Sequence, residues 1–471
     1  MKKIISLIIL AAITVSMFSA CSGGETPELL SFLSKDDDSI DLWGDTVVFL
    51  QEQDLDDSLY EQAFNTRMYD ALLERFDEIE KKYNCVAVIK NAGPDDDYIT
   101  KVQNAIVTGD QIGDVMYCHG VNKMSLFASA GYLYPLTELK DYIDYENSEK
   151  FGTAGLLESA MWKGIPYAVQ PVQWIGFNNS FCYVVAYNPQ LFTSYGLTDL
   201  HEFYETETWT WENYENLFKQ FDNGGKENLY LMAANQGRHG FMALYSNGIK
   251  FCSYDDNGVA RCDIDTQPSL EAIDWNRKMY TDYADKIQTC EIWDTTAFSE
   301  ENALMTFATS SSVTIGDLQF NSNVRFSIMP FPCGPDGTYG QWANWIEGMR
   351  GFAIPANNER PEIAASMIND LCEPFIEITG SGDLTEYYNE NVFFDPLDSE
   401  ILLEVGKFTR AYYYQNLQGM RDFMNALDLE SRPSAAELVG MHYAKVERFV
   451  EEEMMPNYVN YIHDHLYAED N

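Results

Sequence analysis

The sequence predicts an α/β chain folded as two lobes, and three observations carry that prediction. Removing a leader from the 471-residue chain leaves roughly 450 residues, more than one hydrophobic core organises. Between residues 46 and 117, short apolar runs alternate with apolar stripes at helical spacing, the pattern of an open α/β sheet. Apolar side chains make up 46% of the chain, ample for burial on both faces of such sheets.

The elements can be justified in order. Lys2 and Lys3 precede an apolar run from Ile4 to Val15 that closes on Phe18-Ser19-Ala20-Cys21, the make-up of a secretory signal peptide. A cysteine at the cut site, with Ser22-Gly23-Gly24 behind it, resembles the lipobox of bacterial lipoproteins. That resemblance implies removal of residues 1–20 and a diacylglyceryl group on the Cys21 sulfur, with Phe18 standing where Leu is usual. The run is short for a membrane span, and no later stretch approaches twenty apolar residues. Two acyl chains suffice as an anchor. Residues 21–44, rich in Ser, Gly and Asp, read as a flexible stalk.

Thr46-Val47-Val48-Phe49-Leu50 reads as a buried strand, and Phe64, Met68, Leu72, Phe76 and Ile79 as one helical stripe. Val86 to Ile89 is a second strand, Ile99, Val102 and Ile106 mark a second helix, and Asp114 to Tyr117 a third strand. Ligands of such sheets bind beyond the carboxyl ends of the strands, which puts Gln51-Glu52-Gln53 and Cys118-His119-Gly120 near any site. Tyr183 to Pro189 contains another strand, with helical segments around Leu191 and from Trp211 to Phe221. Pro268 opens a helix carrying Leu270, Ile273 and Tyr280. Phe331 to Gly337 is a turn cluster, Gly351 to Pro355 a strand, and Pro361 begins a helix with Ala364, Met367, Ile368 and Leu371 inward. The last hundred residues read as mostly helical.

Charge narrows the partners. Thirty basic residues face 74 acidic ones, a net of −44, so nucleic acid and anionic lipid surfaces repel the chain. A solvated acidic surface that keeps an exported protein soluble accounts for this; a field attracting a cationic ligand is the second reading. Eight cysteines beyond Cys21 show neither CxxC nor zinc-like spacing. Cys252 and Cys262 flank the turn signal Asp255-Asp256-Asn257-Gly258, and a disulfide between them stays open. No GxSxG, HExxH or phosphate-cradling glycine loop is present, and His463-Asp464-His465 has too few partners for a metal site.

Eight further segments, in order, resemble family 1 extracellular solute-binding proteins, the sugar receptors of ABC importers that include maltose-binding protein. They are Gly113 to Met116, Ala130 to Thr137, Gly164 to Val169, Tyr187 to Leu197, Thr208 to Glu212, Phe298 to Met305, Met329 to Gly337 and Gly351 to Ile354. Departures are a long stretch between Val169 and Tyr183 and the absence of a common Trp after Asp45. The resemblance implies a type II periplasmic-binding-protein fold of two α/β lobes, each discontinuous in sequence, joined by a hinge of two or three crossings around a ligand cleft. It divides the chain into lobe I (45–168 and 330–375) and lobe II (169–329 and 376–471). It also implies a carbohydrate captured by hinge closure and delivered to an ABC permease.

Sugars present flat apolar faces rimmed by hydroxyls, so their sites combine aromatic platforms with polar side chains. The candidates are Glu52 and Gln53 after the first strand, His119 after the third, and Gln173 and Trp174 past the first crossover. Gln236 and Arg238, with His239, read as a polar loop after Leu229 to Met232. Thr309 and Ser310 follow the Phe298 to Met305 segment. Trp342, Trp345 and Glu347 precede the Gly351 strand, and Tyr413 lies in the Tyr412 to Tyr414 run. Trp211 reads as packing at a helix start.

The expectation is a non-enzymatic, lipid-anchored, monomeric binding subunit outside the cell membrane, attached through Cys21, without cofactor, metal or nucleic-acid partner. Two alternatives stand beside it: the same scaffold tuned to a cationic or peptide-like solute, and a secreted glycoside hydrolase working through paired carboxylates.

Overall fold

The computed structural model describes residues 40–51, 67–93, 95–119, 126–152, 156–157, 160–162, 164–171, 183–254, 260–292, 294–314, 318, 324–342, 344–345, 350–375, 385–410, 418–428 and 433–452. In chain order the strands used below are β1 (Thr46–Gln51), β2 (Val86–Asn91), β3 (Val115–His119), β4 (Ala168–Val169), β5 (Tyr183–Tyr187) and β6 (Tyr230–Ala234). They continue with β7 (Ile287–Thr289), β8 (Ala303–Thr309), β9 (Ser327–Met329), β10 (Asn344–Trp345), β11 (Arg350–Ala353) and β12 (Thr409–Arg410). The helices are α1 (Arg67–Tyr83), α2 (Asp95–Thr108), α3 (Trp211–Gln220), α4 (Gln236–Ser246), α5 (Gln267–Asp282), α6 (Pro361–Leu371), α7 (Pro396–Gly406), α8 (Gln418–Ala426) and α9 (Ala435–Glu452).

Two five-stranded sheets organise the chain. The first has the order β2-β1-β3-β11-β4, the second β7-β6-β8-β5-β9. In each, one strand runs antiparallel to its neighbours: β11 against β3 and β4, and β5 against β8 and β9. These are the strands that bring the chain across. The path leaves the first sheet after Val169, enters the second at Tyr183, and returns at Arg350.

Local chemistry explains the layers. On α1, Leu72, Phe76, Ile79 and Tyr83 are buried, and Phe76 meets Phe49 of β1 edge-on at 5.3 Å. Each such side chain contributes roughly 2 kcal/mol of burial. Lys81 and Lys82 in the last turn suit the negative end of the helix. Strand β8 lies at the centre of the second sheet and is buried from Ala303 to Ala308, as expected of a strand covered on both faces.

Asp114, buried at the start of β3, staples the first sheet. One carboxylate oxygen accepts the Val48 N–H at 2.8 Å, and the other accepts Gln111 Nε2 at 3.0 Å and Arg360 Nε at 3.1 Å. A buried charge with this many donors is compensated.

Two details add to the sequence reading. The stretch 330–342, assigned to lobe I, makes its contacts around the second sheet. Trp209 Nε1 donates to Pro330 O at 2.9 Å, the Cys333 N–H to Trp209 O at 3.0 Å and the Gly334 N–H to Ser246 O at 2.9 Å. The close approach to α4 requires glycine at 337, where a Cβ would lie 2.1 Å from Ser246 O. Secondly, the strands Cys252–Tyr254 and Ala260–Cys262 form the expected hairpin with Cys262 opposite Cys252, yet Cys262 is a free thiol.

Candidate functional site

The carboxyl ends of β6, β7 and β8 point to one edge of the second sheet, and a pocket opens there. It is lined by Tyr183, Asn235, Arg238, Cys290, Glu291, Ile292, Asp294, Thr295, Thr306, Phe307, Thr309 and Ser312, with Ala233, Ala234 and Ala308. Parallel strands deliver their side chains and following loops to this edge.

Each wall has a local cause. At the end of β6 the chain turns directly into α4, capped by Asn235, whose Oδ1 accepts the Arg238 N–H at 3.0 Å. Asn235 Nδ2 donates to Asp428 Oδ2 at 3.2 Å and to Cys290 O at 3.4 Å, tying α4 to the end of β7 and to the residues after α8. The expected polar loop is therefore the first turn of a helix, which the cap makes possible. On that turn Arg238 faces the pocket, and Gln236 Nε2 donates to Leu427 O at 3.2 Å.

At the end of β8 the Thr309 hydroxyl accepts the Ser312 N–H at 3.1 Å and so caps the short helix Ser310–Thr314. Thr306 donates to Ala233 O at 3.0 Å and locks β8 to β6. Tyr183, the first residue of β5, meets Phe307 edge-on at 6.5 Å. Buried Asn344 clasps it from the return crossing, donating to Tyr183 O at 2.6 Å and accepting its N–H at 3.4 Å.

The electrostatics are those of a polar recognition site. The Asp294 carboxyl is held below its ordinary range by the Thr296 hydroxyl and N–H, the latter at 2.9 Å. The Cys290 thiol is pushed up to about 12 by burial, then by Asp294, Glu291 and Asp428, so it stays protonated and a weak nucleophile at neutral pH. Among the described residues no group of three or more His, Cys, Asp and Glu could hold a metal ion.

Of the residues singled out from sequence, Arg238 and Thr309 line this pocket. Gln236 and Ser310 adjoin them and are buried. Trp342 does not reach it: the ring is buried against Tyr204 at 5.9 Å and Tyr339 at 4.9 Å, because residues 330–342 pack beside the second sheet. Trp345 lies in β10 opposite Arg410, and His119 ends β3 opposite Arg350. Glu52, Gln53, Gln173, Trp174, Glu347, Tyr413 and Cys21 lie outside the described residues. His239 belongs to the core. It is fully buried, stacked on Trp275 at 5.3 Å and bonded through Nδ1 to Asn276 Oδ1 at 2.8 Å.

Sequence reasoning passed over Tyr183, Asn235, Glu291, Asp294, Phe307 and Ser312. The available signal was position just beyond strand ends, but β7, three residues long, is too short to register as a strand.

The two five-stranded sheets agree with what the comparisons find. Residues 65–369 match the family model for bacterial extracellular solute-binding proteins, and the chain belongs to that family. No curated protein matches the chain. Solved structures share the two-lobe periplasmic-binding-protein fold. A sugar transporter from Rhizobium etli in an open conformation is 16% identical with a TM-score of 0.64, covering 85% of this chain and 98% of its own. An ABC substrate-binding protein from Listeria monocytogenes in complex with cycloalternan is 15% identical with a TM-score of 0.58, covering 86% and 98%. A Mycobacterium tuberculosis protein in complex with glycerophosphocholine is 15% identical with a TM-score of 0.57, covering 87% and 99%. No helix among the described residues is long and apolar enough to cross a membrane.

Proposed function

We propose that the protein is the substrate-binding component of an ABC importer, anchored outside the cell through lipid on Cys21, and that it captures a carbohydrate. The observation that carries this reading is the pocket beyond the carboxyl ends of β6, β7 and β8, where Tyr183, Phe307 and Ile292 adjoin Asn235, Arg238, Glu291, Asp294 and Thr295. Apolar faces beside convergent hydrogen-bonding groups are what a sugar ring requires.

In this reading the pocket is the lobe II half of the site. The first sheet, with the ends of β1 and β3, supplies the other half. The lobes would meet at the crossings after Val169, around Asn344 and after Phe375, with residues 330–342 counted in lobe II. Ligand contacts from both halves would supply the differential free energy that favours closure, and the permease would take up the closed monomer. No bond in the ligand is broken.

A thermal-shift panel tests this. A sugar at a hundred times its Kd should add about 2.7 kcal/mol of stability, with no new products by chromatography. Stabilisation by no sugar in a broad panel, or turnover of one, would sink the reading. A second reading has its own support: Glu291 and Asp294 at the pocket suit a cationic solute, and the M. tuberculosis relative in the fold was solved with glycerophosphocholine. Stabilisation by choline-like compounds or polyamines and by no sugar would select it.

A further inference from the structure

Among the described residues strand β2 is the outer strand of the first sheet, and one of its faces is partly exposed. Ala87 and Ile89 turn toward the core, while Val86 and Val88 are 48% and 40% exposed. Side chains alternate along a strand, so Val86, Val88 and Lys90 share the open face. In register, Val86 lies beside Thr46 and Val88 beside Val48. Strands of a parallel sheet are ordinarily covered on both faces, and two exposed valines on an edge strand invite a partner.

The chain arrives at this place. The Leu42 N–H donates to Tyr83 O at 2.8 Å, the Gly44 N–H to Asn84 O at 2.7 Å and the Val86 N–H to Asp45 O at 2.9 Å, so residues 42–45 lie against the start of β2. Asp41 Oδ1 accepts both the Trp43 N–H at 2.8 Å and Asn84 Nδ2 at 2.6 Å. This fixes a turn in which Trp43 takes φ 55° and Gly44 φ 84°. Trp43 itself is 82% exposed. Upstream, within Ser-, Gly- and Asp-rich sequence, stands one apolar stretch, Leu29-Leu30-Ser31-Phe32-Leu33.

We propose that this stretch docks on the open face of β2, covering Val86 and Val88. Residues 34–39 span up to about 20 Å when extended, enough to carry the chain from the turn back along the strand. Laid outward along β2, the segment brings Glu28 toward Lys90. The consequence rests on the lipid reading of Cys21. Docking leaves residues 22–28 as free tether, a reach of about 25 Å rather than the roughly 65 Å of residues 22–40, and so holds the body close to the membrane.

Photo-crosslinking from p-benzoylphenylalanine in place of Phe32, in the chain from residue 22 onward, tests the docking without reference to any ligand. The expected product is an intramolecular link to peptides containing residues 46–48 or 86–90, unchanged over a hundredfold dilution and lost in Val88→Asp. Deleting residues 29–33 should also speed amide exchange across residues 86–90 at least tenfold. A link that fades on dilution would make the occupant a second copy. A link to lipid when vesicles are added would make it the membrane. Either result, links elsewhere in the chain, no link, or unchanged exchange overturns the proposal.

Discussion

The two sheets share a plan and fasten their helices differently. On the first, α1 meets α6 and the turn after it through groups that range from buried Tyr83 to half-exposed Lys82. Arg75 Nη1 donates to Glu373 O at 2.9 Å, its guanidinium lies 4.5 Å from the centre of the Phe375 ring, and Asp370 Oδ2 accepts Lys82 Nζ at 2.7 Å and Tyr83 OH at 2.6 Å. On the second, α4 and α5 meet through a polar pin inside an aromatic cage. Asn276 holds His239 Nδ1 through Oδ1 and donates to Gln236 O at 3.3 Å, while Trp275, Phe307, Phe331, Tyr280 and Tyr214 surround the imidazole. Surface links form and break cheaply; a buried pin is costly to disturb. The helix that carries Arg238 into the pocket is fastened the second way.

The largest effect should come from the pin itself. A Cβ on Gly240 would lie 2.5 Å from Asn276 Nδ2, and that amide cannot swing aside without releasing both its bonds. Overpacking together with a stranded buried polar group puts the cost of Gly240→Ala at about 4 kcal/mol. Chemical denaturation measures it. A loss below about 1 kcal/mol would mean that the α4–α5 contact is no tighter than its counterpart on the first sheet.

Acid should expose the same region. Burial drives the His239 imidazole down to about 4, against the opposing pull of its bond to Asn276. The unfolded chain takes up that proton near 6.5 and the folded chain only near 4, so stability falls as pH drops through that window, by about 3 kcal/mol in total. Asp263, pushed up to about 6 by burial, works in the other sense, losing stability as pH rises from 3.8 to 6. The informative measurement is therefore the difference between wild type and His239→Gln, which should lack the acid-side slope. Parallel pH curves would show that His239 is not the group responsible.

These expectations mark how far sequence reaches. Periodicity locates β1, α1, β2, α2 and β3 because each carries a continuously apolar run or stripe, and 331–337 reads as a turn cluster, but not as the close backbone approach to α4 that Gly337 makes. It does not separate His239 from a cleft histidine, since Gln236-Gly237-Arg238-His239 is polar in sequence and its burial depends on Trp275 and Phe307 from distant elements. Pocket residues just past short β7 stay silent for a related reason: a strand of three residues carries no period. Trp342 was legible as an aromatic near a crossing, but its partners Tyr204 and Tyr339 decide that it packs.

On the first sheet the same logic gives smaller numbers. Asp370→Asn leaves the hydrogen-bond geometry in place and removes the charge that Lys82 and the buried Tyr83 hydroxyl share. A charge-assisted bond roughly twice as strong as a neutral one makes the loss about 1–2 kcal/mol, read from the denaturation midpoint. A loss as large as that of Gly240→Ala would erase the contrast between the two fastenings.

Lys82→Ala should cost least. The ammonium side chain is 46% exposed, so water and salt screen its attraction to Asp370, and ordering a long side chain consumes part of what remains. Exposed pairs of this kind contribute about 0.5 kcal/mol, and at 1 M salt, where the screening length falls to about 3 Å, the difference from wild type should vanish. Tyr83 is the reason the contact survives the substitution: its hydroxyl keeps Asp370 Oδ2 bonded, and its ring stays buried in the core beside α1. A salt-independent loss above 1 kcal/mol would place Lys82 among the buried pins and make the first sheet as rigidly fastened as the second.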